Sequence, residues 1–299
     1  MAPGPGLGLV LPKGPGPVAD WPRAAAAFAQ LESDGCSAIW LTDHLFFPAD
    51  TPDALTMAAV AASATTDCVI GTGVIQLPLR QVAAVAKSAS TLSALSGARF
   101  VLGVGLGEHS EEYERAGATF RNRGVALDRG IAELRELWAP GDSWFEQHPA
   151  APNIPIWVGG RSERSLQRTA ELGDGWFPMF ISAAGFARRS TQLDELLINA
   201  GRAPASLLRA VLVIASIDGP RWSADDARTW ATNLFRADPQ AIGRHVITGS
   251  AKKITTALAA FRAAGADHIA VLIASDDALR AYKSIAELWP EFRPVQTSE

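Results

Sequence analysis

Apolar residues recur along the chain in short dense runs, each followed by a stretch where they return every three or four positions. Residues 7–11, 38–42, 68–74, 99–104, 154–158, 175–177, 210–217 and 269–273 have the length and composition of buried strands. Helical spacing predicts helices over 21–32, 54–64, 81–95, 125–138, 163–172, 186–199, 254–264 and 278–288. The punctuation agrees. Asp20 is a candidate N-cap with Pro22 in the first turn, Gly35 and Gly97 stand where helices stop, and Pro140 with Gly141 breaks the fourth helix. Strands this continuously apolar are covered on both faces, as in a parallel sheet. Eight strand–helix units fit a closed barrel better than an open sheet, which needs edge strands and a switch point. The expected fold class is α/β, a (β/α)8 TIM barrel forming a single domain over 1–299. Two stretches depart from the repeat: an irregular excursion at 142–153, and an insertion at 218–266 between strands seven and eight with short helices of its own.

Composition adds little beyond exclusions. A chain of 299 residues is long enough for such a barrel, and 48% hydrophobic with 19% charged residues is ordinary globular usage. A formal net charge of -4 points neither to nucleic acid nor to an anionic membrane surface. No run reaches the roughly twenty apolar residues of a membrane span, and the first residues, broken by proline, lack a basic segment, so the expected location is cytoplasmic. Cys36 and Cys68 form no C-x-x-C and are expected to be reduced, buried thiols.

Chemistry in a barrel of this kind sits at the C-terminal strand ends. The fourth strand ends in R-F-V-L-G-V-G-L-G-E-H, with glycines at 103, 105 and 107, and the fifth in I-P-I-W-V-G-G-R-S. Glycine in a strand signals a close approach to the backbone. One such end reads as a tight turn; two suggest one flat ligand lying across the mouth. The other ends supply Asp43 and His44, Gln76 and Arg80, Glu108 and His109, and Asp174 with Trp176. No G-x-G-x-x-G, Walker A, G-x-S-x-G or H-E-x-x-H is present, and His44 and His109 are too few for a metal site, so no metal is expected. The Asp43–His44 pair reads equally as a capping aspartate beside a packed histidine and as catalytic machinery.

The succession A-I-W-L-T-D-H, I-G-T-G-V-I-Q-L-P-L-R, G-A-R-F-V-L-G-V-G-L-G, R-G-V-A-L-D-R-G-I-A-E-L-R-E-L-W, I-P-I-W-V-G-G-R-S and D-G-W resembles the bacterial luciferase-like family, in particular the branch that uses the deazaflavin coenzyme F420. The likeness runs over most of 7–176 and returns weakly at 247–273. It implies a barrel with F420, or alternatively FMN, at its mouth. It places Asp43 and His44 beside the reactive ring and a bulge with a non-proline cis peptide at Gly73–Val74 behind it. The amides of Gly159 and Gly160, with Arg161 and Ser162, bind the phosphate; a helix N-terminus favours an anion there on physical grounds as well. Arg161 reads equally as an ordinary surface arginine. Gln76, Gly105, Leu106 and Gly107 complete the expected cofactor contacts. Two departures argue against glucose 6-phosphate as substrate. Leu106 stands where the family's sugar-phosphate dehydrogenases are expected to carry glutamate, and Leu45, Phe46, Phe47 and Pro48 replace a tryptophan after the D-H pair. That loop, with Trp176, Phe177 and Met179, points to a hydrophobic or mixed-polarity substrate.

Three functions follow. The first is F420-dependent hydride transfer to or from an alcohol, carbonyl or activated alkene, with His44 moving the proton, Asp43 orienting it or bonding the ring, and His109 in reserve. The second is an FMNH2-dependent monooxygenase, and the third a flavin-binding barrel without turnover. The expected partner is a small molecule, with a homodimer as the candidate assembly.

Overall fold

The computed structural model describes residues 6–11, 21–47, 49–140, 149–150 and 153–289. Its strands are β1 (Gly6–Val10), β2 (Ala38–Leu41), β3 (Val69–Thr72), β4 (Ile75–Gln76), β5 (Phe100–Gly105), β6 (Ile156–Gly159), β7 (Gly175–Phe177), β8 (Leu208–Ile217), β9 (Val246–Gly249) and β10 (His268–Ile273). All pair in parallel. The order β10-β1-β2-β3-β5-β6-β7-β8, with β8 pairing back onto β10, closes an eight-membered barrel in which β4 continues the line of β3. The helices α1 (Ala24–Ser33), α2 (Ala54–Ala64), α3 (Val82–Leu95), α4 (Ser110–Arg115), α5 (Arg123–Trp138), α6 (Glu163–Leu172), α7 (Ala183–Asn199), α8 (Ala224–Phe235), α9 (Pro239–Gly243), α10 (Ala251–Ala263) and α11 (Ala278–Ala286) surround it. The α/β barrel read from the hydrophobic pattern is the fold observed.

Strand alternation divides the apolar residues into two cores. Leu7, Leu9, Ile39, Leu41, Ile70, Phe100 and Leu102 pack outward against the helices, whereas Val10, Ala38, Trp40, Val101, Trp157, Ala210, Leu212 and Leu272 fill the barrel. Trp40 and Trp157 plug its centre with ring centroids 4.8 Å apart, and Phe177 lies 4.7 Å from Trp40. Two indoles fit because small residues face them: a Cβ on Gly71 would stand 2.6 Å from Trp40 Cε3, and one on Gly175 2.6 Å from Trp157 Nε1. Beneath them, His268 is fully buried and accepts a 2.9 Å bond from the Trp40 indole N–H.

The Gly73–Val74 peptide is cis, as the family resemblance implied. Other expectations change. The run 68–74 is not one strand: β3 stops at Thr72 and pairing resumes in β4. The first helix opens as a 3-10 turn (Trp21–Arg23) and no side chain caps α1; Asp20 lies outside the described residues. The insertion at 218–266 contains, besides α8 and α9, the strand β9. Leu212 N–H bonds the Pro178 carbonyl and Asp218 N–H that of Gly249, so β9 occupies, beside the second half of β8, the side that β7 leaves. Helix α4 is also new: S-E-E-Y-E-R offers one apolar residue and hence no period to read. Most of the 142–153 excursion falls outside the described residues. Cys36 and Cys68 are buried and unbridged. Among the described residues, no helix is long and apolar enough to cross a membrane.

Candidate active site

At the C-terminal end of the barrel lies a cavity of about 510 Å³, bounded by residues from seven of the strand ends. It brings together His44, Gly73, Val74, Gln76, Gly105, Leu106, Gly107, His109 and the turn Gly159, Gly160, Arg161 and Ser162. Residues separated by more than a hundred positions thus share one wall because every parallel strand ends on the same side.

The bulge governs the floor. A Cβ on Gly105 would stand 2.5 Å from Val74 Cγ2, and one on Gly159 3.4 Å from the same atom. The Gly103 position lies against the Thr72 carbonyl and Val74 Cγ1. The strand-end glycines therefore make room first for another part of the protein; the ligand-facing surface they were expected to open is in part the Val74 side chain.

On the other side, β2 has ended at Leu41, so Asp43 and His44 escape the alternation that would send them to opposite faces. The Asp43 carboxylate has no exposed side-chain surface and takes Arg80 Nη2 at 2.6 Å and Nε at 3.2 Å; Arg80 reaches Asp53 Oδ2 at 2.7 Å as well. Burial pushes the Asp43 carboxyl above its usual range, with the Arg80 charge acting against it. Asp43 thus holds the loop while lining the cavity beside His44. His44 turns to the cavity and stacks on Phe47, centroids 4.0 Å apart, with His109 at 6.1 Å.

Glu112, on α4, was not singled out by sequence. It is 2% exposed, contacts His44 Nδ1 at 2.9 Å through Oε2, and accepts Leu45 N–H at 2.7 Å and Phe46 N–H at 3.2 Å through Oε1. Burial works against its charge, but the hydrogen bond and charge of His44, the Phe46 amide and the Gln76 amide win, and its pKa is held down to about 2. Gln76 donates to the Asp43 carbonyl at 3.2 Å and to Glu112 at 3.1 Å. Its Oε1 is buried with no hydrogen-bond partner among the described residues, wedged where a Cβ on Gly107 (φ +72°) would sit.

Opposite, Ser162 caps α6, its Oγ accepting Ser165 N–H at 3.2 Å. Gly160, at φ +107°, turns the chain into the helix, and its carbonyl accepts the Trp176 indole N–H at 2.8 Å. Trp176 is therefore packed outward, stacked on Phe186 at 4.9 Å, and only Phe177 and Met179 of the expected trio reach the cavity. Asp174 precedes β7 and, bonded to Ile156 N–H and paired with Arg135, belongs to the opposite end of the barrel. Leu45 and Phe46 are exposed. The remaining wall, Phe180, Leu212, Leu234, Phe235 and Leu272, is apolar, with Phe180 and Phe235 edge to face at 4.8 Å; Leu234 and Phe235 come from the insertion, where α8 ends. Among the described residues, no three His, Cys, Asp or Glu side chains are grouped to hold a metal ion.

Residues 7–268 match the luciferase-like monooxygenase family. The chain belongs to this family. An uncharacterized protein of Mycobacterium tuberculosis is 33% identical over 189 residues, 52% of this chain and 63% of that protein, so the match spans less than two thirds of that relative. An F420-dependent glucose-6-phosphate dehydrogenase of Kineococcus radiotolerans is 28% identical over 244 residues, covering 73% of this chain and 71% of the relative. Among solved structures, an F420-dependent secondary alcohol dehydrogenase in complex with an F420-acetone adduct superposes with TM-score 0.83 at 18% identity, covering 97% of this chain and 100% of the other. The oxygenating constituent of 3,6-diketocamphane monooxygenase from Pseudomonas putida, in complex with FMN, gives 0.72 at 18%, covering 97% and 98%. At these identities the structural likeness establishes the fold.

Proposed function

We propose that the protein is an F420-dependent oxidoreductase that moves a hydride between the deazaflavin and a small, largely apolar alcohol, carbonyl or activated alkene. The carrying observation is the cavity itself, with a histidine bonded to a buried carboxylate on one wall and a glycine turn at a helix N-terminus on the other. The residues fit a flavin-like ring and its phosphate. Gln76 lines the cavity and keeps an acceptor, Oε1, that has no partner among the described residues, which suits the N–H groups of a pyrimidine edge once the amide shifts toward it, and Gly159, Gly160 and Ser162 present the start of α6 to an anion.

F420 is favoured over FMN by a second groove. It has about 560 Å³, meets the first at Leu106, Arg123 and Ser162, and carries Arg121 and Arg164 beside the Arg168–Asp128 pair. FMN ends at its phosphate, whereas the deazaflavin carries further carboxylates that such a groove would neutralise. When bound, the deazaflavin supplies a carbon that accepts or donates hydride. His44 takes the hydroxyl proton in the oxidising direction and returns it in the other, while Asp43 and Arg80 keep its loop in place. Phe180, Phe235 and Leu272 exclude water and favour an apolar substrate body.

The test is anaerobic turnover of a panel of alcohols, ketones and enones with the deazaflavin, set against reduced FMN plus oxygen, with both cofactor affinities measured by titration. Turnover with the deazaflavin alone supports the proposal. Activity only with FMN and oxygen would move the protein to the monooxygenase class, and tight binding without turnover of either kind to a non-catalytic flavin carrier.

A further inference from the structure

We infer that Glu112 is a positioning residue that sets which nitrogen of His44 carries the hydrogen and fixes the ring at the cavity wall. The inference rests on the reading of His44 as the proton-handling group. His44 Nδ1 lies 2.9 Å from both Glu112 Oε2 and Gln76 Nε2. The Gln76 amide has two hydrogens, and two oxygens are within reach of them, the Asp43 carbonyl at 3.2 Å and Glu112 Oε2 at 3.1 Å. The opposite amide orientation would set Gln76 Oε1 against those same two oxygens, all of them acceptors. With the amide so oriented, an ionised Glu112 has no hydrogen to give, and Nδ1 must donate to it. The neutral ring then keeps its lone pair on Nε2.

The same carboxylate secures the backbone. Its Oε1 takes the N–H groups of Leu45 and Phe46, the two residues after His44, so side chain and loop are tied to one group on α4, 68 positions away in sequence. Burial keeps water from competing for those bonds, since Glu112 is almost wholly enclosed.

The test compares wild type with Glu112→Gln, Glu112→Asp and His44→Ala, after melting curves show that each is folded. Two readouts are needed: 15N NMR titration of the His44 imidazole, and the pH profile of kcat with the deazaflavin. Glu112→Gln keeps the volume and removes the charge, so the imidazole midpoint should fall by about 1 unit or more. In the alcohol-oxidising direction, where His44 must be unprotonated to act, the acidic limb of kcat should follow it, with kcat down about tenfold and KM little changed. Glu112→Asp, which keeps the charge, should restore the midpoint in part. His44→Ala should lose about a hundredfold in kcat while keeping cofactor affinity. An unchanged midpoint and kcat in Glu112→Gln would overturn the inference and make Glu112 a purely structural brace. Wild-type turnover in His44→Ala would instead overturn the functional reading, with the NMR midpoint still deciding whether Glu112 sets the state of the ring.

Discussion

Gly159 and Gly160 look interchangeable in the sequence and are not so in space. A Cβ on Gly159 meets the Val104 carbonyl and Val74 at 3.4 Å, close to ordinary contact, with the backbone in a common conformation. Gly160 sits at φ +107°, and a Cβ there would lie 2.5 Å from Ser165 Oγ, the hydroxyl that also faces the Ser162 cap. Gly160→Ala should therefore cost more than about 1 kcal/mol in denaturant unfolding and weaken cofactor binding, whereas Gly159→Ala should cost less. Equal losses in the two variants would mean that the positive φ is not what the turn requires. The same contrast separates Asp43 from His44. Both line the cavity, but the neighbouring Arg80 commits the Asp43 carboxylate to an ion pair, whereas His44 stacks on Phe47 and bonds Glu112. The sequence puts Arg80 at a strand end; that its charge closes on Asp43 and Asp53 together depends on where β4 and α2 begin.

Among the elements, the β3–β4 break and β5 form one device. Val74 projects over the glycines of β5 and β6, and those strands accept it because they carry no Cβ at the crossing points. Gly105→Ala should destabilise the protein by about 1–3 kcal/mol through overpacking against Val74 Cγ2. The double variant Gly105→Ala with Val74→Ala should recover part of that loss, since the two sites couple through direct contact. Additive losses would show that the glycine serves something other than Val74. At this scale long periodic elements were legible. Helices α3, α5 and α6 and strands β5 and β8 stand within two or three residues of their expected bounds, because an apolar face must repeat at the period of the element that buries it. Helix α4 and strand β9 were not legible. Helix α4 carries one apolar residue, too few to mark a face, and β9 exists because β7 stops early and leaves one side of β8 open.

For the whole molecule, the buried end of the barrel predicts how it responds to acid. Burial holds His268 down to about 3, below the ~6.5 of an exposed imidazole. Protons therefore bind the unfolded chain in preference between those values, and stability present above pH 6.5 is lost as the pH falls toward 3, by up to about 1.4 kcal/mol per unit. Glu112, held to about 2, adds a loss confined below roughly pH 4.5. His268→Gln, which keeps an acceptor for the Trp40 N–H, should flatten the melting temperature between pH 6.5 and 4.5, where Glu112 contributes nothing. Parallel curves for wild type and variant in that window would refute the assignment. Nothing in D-H-I-A-V-L-I marks His268 as a core residue, because its burial depends on β1, β2 and β8 closing around it. The hydrophobic pattern by itself determined the alternation of strand and helix, the closed parallel barrel and the mouth where Asp43, His44, Gln76 and the two glycine turns gather, since periodicity and turn residues are local properties of the chain. Only the tertiary structure decided that Glu112 holds His44, that Asp43 belongs to Arg80, that Trp176 turns away and that Phe235 from the insertion completes the wall. Those assignments depend on distances between residues dozens of positions apart, which no local pattern encodes.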